Sequence, residues 1–228
     1  MKKIAEIING KTKTRYIYDI LATILIVVIS FKMDFLNKQG QILGWTFNVG
    51  YVGVITAALA YNFTRMIHRK NNKGNWFSLA TNFASDIVSI GLGDFGRVFG
   101  SIPNKFLTFG CGVSGLNDLK DTKKRLIIGF IFGFIAVTVF NLLGFAIFKA
   151  GFTVVAVLST VRALLSFTAY SLQITRNGMA TQITWTLYSV SGVALNSVIG
   201  NIPSLVKAIM YVPVAFLSIF TWKEKRDN

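Results

Sequence analysis

Soft metal ligands are nearly absent from this chain: it holds one cysteine, Cys111, and one histidine, His68, in 228 residues. A single cysteine excludes an intrachain disulfide, and the pair cannot assemble a His/Cys metal site. Catalytic constellations are missing as well. There is no Ser/His/Asp set, no paired acidic motif and no phosphate-binding loop. The sequence therefore points away from an enzyme and calls for no cofactor. Charge is scarce too, at 14% of residues, about half of what a soluble domain carries. Cys111 lies in the small-residue run Gly110-Cys111-Gly112, where it is expected to pack.

What fills the chain instead is apolar: 53% of residues are hydrophobic, 20 of them phenylalanine. One soluble core of this size has no room for so much apolar surface, whereas a bilayer solvates the outer faces. The net charge of +15 would suggest nucleic acid if it formed a face or stripe. Here the basic residues form short clusters between apolar runs, the pattern of topology signals, so no nucleic-acid partner is expected.

The apolar runs fall at Tyr16–Phe31, Ile42–Met66, Trp76–Leu92, Val98–Leu116, Leu126–Phe148, Phe152–Ile174, Met179–Ile199 and Pro203–Trp222. Most approach the roughly 20 residues that a helix needs to cross the hydrocarbon. The first follows a basic N-terminus, as in a signal peptide. It ends in Ser30-Phe31-Lys32-Met33-Asp34 with no small-x-small cleavage site, and so reads as a retained span. Loop charge tests the count. With the N-terminus in the cytoplasm and eight crossings, the inner segments hold Lys2, Lys3, Lys11, Lys13 and Arg15, then Arg65, Arg69, Lys70 and Lys73. They also hold Lys120, Lys123, Lys124 and Arg125, then Arg176, and finally Lys223, Lys225 and Arg226. The outer segments hold only Lys32, Lys38, Arg97 and Lys149. This asymmetry follows the positive-inside rule. The expectation is an all-α integral membrane protein of the cell membrane, multi-pass, with eight transmembrane helices and both termini cytoplasmic.

A repeat divides those eight. Lys73-Gly74-Asn75 through Arg125 matches Arg176-Asn177-Gly178 through Arg226. Each begins at a basic turn, runs through a helix with a polar stripe, turns at a glycine (Gly96, Gly200) and closes in a basic cluster. Upstream, Ile42–Met66 pairs with Phe152–Ile174. Two three-helix units joined by one linking helix run parallel, an arrangement known in transporters. The expected division is 1–41 (basic segment and extra helix), 42–117 (first unit), 118–149 (basic loop and linking helix) and 150–228 (second unit), or 1+3+1+3.

Polar residues inside spans are costly, and so mark candidate sites. Ser78, Asn82, Ser85, Asp86, Ser89 and Gly93 recur at three- and four-residue steps, one face of a helix. Gln182, Trp185, Thr186, Ser189 and Asn196 do the same in the equivalent helix. The serines and Thr186 fit helix-to-helix glue. The larger Asn82, Asp86, Gln182, Trp185 and Asn196 fit a central path. Asp86 and Arg162 are conspicuous intramembrane charges, either paired across the units or facing water separately. Lys105, beside Asn104, is a cavity candidate, and Lys207 lies close enough to an outer end to snorkel. Trp45 and Asn48 are expected near the outer end of the second span. Trp76 and Trp222 suit an interface belt. Trp185 lies deeper, where an indole stacks on a flat ring while nearby amides bond its edge. Gly91-Leu92-Gly93-Asp94-Phe95-Gly96 reads as an outer turn.

Gly93-Asp94-Phe95-Gly96, then Asn104 and Gly115, resemble the first-unit pattern of the PnuC vitamin transporters. Gln182-Ile183-Thr184-Trp185, then Tyr188-Ser189 and the closing Trp222-Lys223, resemble the second. The likeness covers about residues 42–226. Gly112 and Ser189 depart from it, standing where the family often carries glutamine and asparagine. The resemblance implies a fold like that of the SWEET sugar transporters and facilitated uptake of nicotinamide riboside, trapped by cytoplasmic phosphorylation. Thiamine, riboflavin or a deoxynucleoside is the alternative substrate, and a membrane scaffold without transport is the alternative role. The expected substrate-binding residues are Trp185 for stacking, Asn82, Asn104, Gln182 and Asn196 for edge hydrogen bonds, Asp86 for substrate or a gating partner, and Tyr188 and Ser189 beside them. The partners expected are that small molecule and the lipid bilayer, and a homo-oligomer is compatible with the sequence.

Overall fold

A computed structural model describes residues 1–9, 13–68, 71–114, 123–174 and 178–221. Of the expectations above, those on Lys11, Arg69, Lys70, Gly115, Lys120, Arg176, Asn177, Trp222, Lys223, Lys225 and Arg226 lie outside the described residues. The chain is mostly helical. In order come α1 (Lys2–Asn9), α2 (Thr14–Lys32), a short 3-10 turn (Phe35–Asn37), β1 (Gln39–Ile42), β2 (Trp45–Asn48), α3 (Gly50–His68) and α4 (Lys73–Gly91). These are followed by α5 (Arg97–Gly100), α6 (Ile102–Ser114), α7 (Lys123–Ile147), α8 (Val154–Ile174), α9 (Gly178–Val198) and α10 (Ile202–Thr221).

Among the described residues, four helices are long and apolar enough to cross a membrane: Thr14–Lys32, Phe130–Ile147 in α7, Val154–Gln173 in α8 and Ile202–Phe220 in α10. Their outward faces are apolar and bare. Ile20, Leu21, Ile24 and Phe31 on α2, and Phe132, Ile135 and Val139 on α7, are exposed. Water would not tolerate so continuous an apolar surface on a monomer. α3, α4 and α9 are of similar length, at 19, 19 and 21 residues, or roughly 28 to 32 Å. They are less apolar because one face of each is polar and turned inward.

The second apolar run does not begin as a helix. Gln39–Ile42 and Trp45–Asn48 pair antiparallel, with Ile42 opposite Trp45. Leu43 and Gly44 at the tip both have positive φ (49° and 84°), the signature of a tight hairpin turn. Helix α3 starts only at Gly50, whose N–H donates to the Asn48 side chain at 2.8 Å. The expected Ile42–Met66 helix is thus corrected: its first turns are a hairpin, and Trp45 and Asn48 belong to a strand. The N-terminal basic segment also differs from expectation, because it contains α1, which buries Ala5 and packs on α10.

The helices close a ring. α3 packs on α4, α4 on α6, α6 on α8, α8 on α9, α9 on α10, and α10 back on α3. α2 packs on α3 and α10; α7 packs on α8 and α6. Exchanging α2, α3, α4 and α6 with α7, α8, α9 and α10 maps each of these contacts onto another. In this pattern α2 and α7 hold equivalent places, so the first span is not an outlier beside the linking helix. The turns match as well. Asp94 N–H reaches Ser89 O and Asn201 N–H reaches Asn196 O, both at 2.9 Å. Gly93 (φ 98°) and Gly200 (φ 67°) supply the left-handed step at these helix ends. The halves differ in the next few residues: α10 starts directly at Ile202-Pro203, whereas α5 intervenes before Ile102-Pro103 of α6.

Candidate functional site: a central cavity inside the helix ring

The ring encloses a cavity, of which about 100 Å³ is open to the centres of water molecules. Side chains reach it from α3 (Tyr61, Thr64), α4 (Asn82, Asp86), α6 (Asn104, Lys105), α8 (Arg162, Tyr170), α9 (Trp185, Tyr188) and α10 (Lys207, Tyr211), and Arg97 reaches it from α5. Every member of the ring contributes, which requires one inward face on each helix. On α4 and α9 that face is the polar stripe visible in the sequence.

Aromatic rings form one part of the wall. Trp185 is 7% exposed and meets Tyr170 and Tyr188 edge to face, with centroids 5.0 and 5.2 Å away and planes at 90° and 88°. These contacts lock the indole in place. The Tyr170 hydroxyl is held by the side chains of Thr108 and Asn82.

Charges form another part, one to three turns from the helix ends at the α4–α5, α7–α8 and α9–α10 turns. Asp86 accepts from Arg97 at 2.6 Å and also from Lys105. Arg97 reaches Asp94 as well, at 3.3 Å. Asp94 is fully buried and accepts from Ser159 of α8 at 2.5 Å. The α4–α5 turn is thereby fastened to the second half of the chain. Lys105 also donates to Ser101 Oγ at 2.6 Å and lies 4.8 Å from the centre of the Phe83 ring. Arg162 is 5% exposed, and its guanidinium lies 4.7 Å from the centre of the Tyr188 ring. Asp86 and Arg162 therefore face one cavity without pairing: the acid is held by bases of its own half, and Arg162 rests on an aromatic face.

Of the expected site residues, Asn82, Asp86, Asn104, Trp185, Tyr188 and Ser189 line the cavity. Asn104 also donates to Ala163 O of α8 at 3.2 Å, while its own side-chain oxygen has no partner among the described residues. Ser189 donates to Trp185 O at 2.8 Å, within its own helix. Gln182 and Asn196 are not among the lining residues; each is 1% exposed in the packed interior. Asn196 donates to Gly192 O at 2.6 Å. Both lie on the correct stripe of α9 but at the wrong height, one turn below and two turns above the cavity. Lys207 turns inward to the cavity and does not snorkel outward. Arg97, counted by sequence as an outer-loop cation, is a cavity residue. Arg65, counted as an inner-loop cation, is fully buried inside α3. Tyr61, Tyr170 and Tyr211 carried no pattern that would have singled them out; their position in the middle of apolar runs is the one available signal.

Cys111 is buried on α6, as its small neighbours suggested. Among the described residues no group of His, Cys, Asp and Glu could hold a metal ion. Comparison with family models, with curated proteins and with solved structures found no match to this chain.

Proposed function

We propose that this chain is a multi-pass permease of eight crossings that carries a small flat-ring solute through the central cavity by alternating access. The observation that carries the reading is the cavity wall: both halves of a two-fold contact pattern supply it, helix for helix. Transporters built from parallel repeats place substrate at such a midplane interface. In this reading α2, α7, α8 and α10 turn apolar faces to lipid. α3, α4 and α9 join them, their lower hydropathy explained by the faces that line the path, and α6, 13 residues long, completes the eight with the short α5 ahead of it.

The two halves touch along α6–α8 and α10–α3. Rocking across these seams would open the cavity to one side and then the other. Trp185 supplies a pre-set ring face for stacking, and Asn82, Asn104 and Ser189 supply polar edges. The motif resemblance makes nicotinamide riboside, with trapping by cytoplasmic phosphorylation, the first substrate to test; other flat-ring vitamins and nucleosides come next. A scaffold without transport would need matched polar faces packed shut, and the open cavity favours the permease.

The test is uptake into proteoliposomes holding the purified chain, with nicotinamide riboside, thiamine, riboflavin, deoxynucleosides and free pyridine bases as substrates. Saturable uptake of one of them, lost in Trp185→Ala, is expected. Uptake indifferent to Trp185→Ala would move the site elsewhere, and a chain inert to the whole panel would favour the scaffold.

A further inference from the structure

We propose that the cavity is built for a ring that carries an oxyanion, with Arg162 and Lys207 as the groups that receive the negative charge. The inference rests on the permease reading, names the substrate class of that same site, and within that reading ranks anionic rings ahead of nicotinamide riboside.

The argument is one of charge balance. Four cationic side chains line the cavity: Arg97, Lys105, Arg162 and Lys207. Asp86 is the only carboxylate among its lining residues, and it is already shared by Arg97 and Lys105. Asp94, just behind, is taken up by Arg97 and Ser159. Among the described residues, neither Arg162 nor Lys207 has an acidic partner. Arg162 is the sharper case, because it is 5% exposed and its buried Nε has no hydrogen-bond acceptor among the described residues.

An unpaired guanidinium in a low-dielectric interior is expensive, and cation–π contact with Tyr188 offsets only part of that cost. The group persists in such a place when something else supplies the missing charge. The cavity that Arg162 and Lys207 both line leaves room for that, while the close approach of the guanidinium to Gly192, where an added Cβ would stand 3.3 Å from Nε, fixes its position. Lys207 precedes Ala208 on α10 and lines the same cavity. A planar oxyanion bound by the guanidinium, with the lysine as a second donor, satisfies both. Its ring then extends toward Tyr188 and Trp185. A carboxylate on the ring and a phosphate on an attached sugar share this chemistry. A fixed cation does not: the pyridinium of nicotinamide riboside and the thiazolium of thiamine would meet two unpaired positive charges.

The experiment compares rings that carry an anion with rings that do not, and with an anion alone. Binding of nicotinate and nicotinamide, nicotinamide riboside, a nucleoside monophosphate and inorganic phosphate is measured on the purified protein by calorimetry. Nicotinate or the monophosphate is expected to bind at least about tenfold tighter than nicotinamide and nicotinamide riboside. The tighter of these two anions identifies whether a carboxylate or a phosphate is read. Arg162→Met should erase the preference and Arg162→Lys should keep part of it, with Trp185→Ala weakening neutral and charged rings alike. Nicotinamide or nicotinamide riboside binding as tightly as either anion would overturn the proposal and leave the permease reading standing. Phosphate binding without any ring binding would keep the anion site and remove the flat-ring reading. No binding by any of the five would overturn the anion proposal, and the uptake panel would then decide the flat-ring reading by itself. The wild-type comparison needs no variant to fold.

Discussion

Arg65 Nε lies 2.6 Å from Asp19 Oδ1, with the arginine fully buried and the aspartate 5% exposed. The remaining guanidinium nitrogens reach α1, donating to Asn9 Oδ1 and to Ile8 O at 2.5 Å each. Asn9 in turn donates to Val214 O and Ser218 Oγ of α10, both at 3.1 Å. One arginine therefore holds α1, α2 and α3 together and, through Asn9, pins α10.

Asp19→Asn is expected to destabilise the protein strongly. It leaves Arg65 charged and buried without its counterion, which costs about 3–5 kcal/mol in comparable buried pairs. The check is thermal unfolding in detergent. Asp19→Leu combined with Arg65→Met should recover most of the loss, because the penalty lies in the unpaired charge.

Asp86→Asn should behave differently, because two bases lose one acid at the cavity wall. Uptake is expected to fall, and Lys105→Met in the same chain should restore stability beyond the sum of the single changes. A coupling of about 0.5–3 kcal/mol is expected for neighbours in one network. Unfolding midpoints of the two single variants and the double variant measure it.

Trp185→Ala removes the ring face and is expected to weaken substrate by about 1–3 kcal/mol, the range for stacking on an aromatic side chain. Asn196→Ala should leave affinity unchanged and cost stability alone, about 1 kcal/mol for its hydrogen bond to Gly192 O. Binding and unfolding measured side by side separate the two effects.

Gly192→Val tests the contact between α8 and α9. A Cβ alone stands 3.3 Å from Arg162 Nε, so the two further methyl groups must displace the guanidinium. Uptake of the preferred substrate is expected to drop about tenfold or more, since small misplacements of a binding group carry costs of that order. Gly192→Ala should be mild, because the arginine end needs to give by only a few tenths of an ångström.

The polar faces of α4 and α9 were legible because a helical face needs no more than a local spacing of three and four residues. Depth along the face was not. Gln182, Trp185, Ser189 and Asn196 share one stripe, yet Trp185 and Ser189 alone among them reach the cavity. Where an empty space opens along a stripe depends on what the facing helices present at that height. Charge pairing was equally hidden: Arg65 and Arg97 look like loop cations until Asp19 and Asp86 are seen beside them. The hairpin at Gln39–Asn48 escaped because Ile42, Leu43, Trp45 and Phe47 lead into the apolar run of α3, with only Gly44, Thr46 and Asn48 between. The positive φ of Leu43, rare for such a residue, leaves no mark in composition.

By itself the sequence determined that this chain is helical, apolar on its outer faces and polar along two inner ones. Those properties follow from residue type and short-range spacing, which act before any tertiary contact forms. The tertiary structure alone decided that the helices close into a ring, that α2 and α7 occupy equivalent places, and that Arg162 and Lys207 face a cavity whose acid, Asp86, is taken up by Arg97 and Lys105. Each of these depends on residues far apart in the chain. Burial settles which charges find a partner, and it is set by all the helices at once.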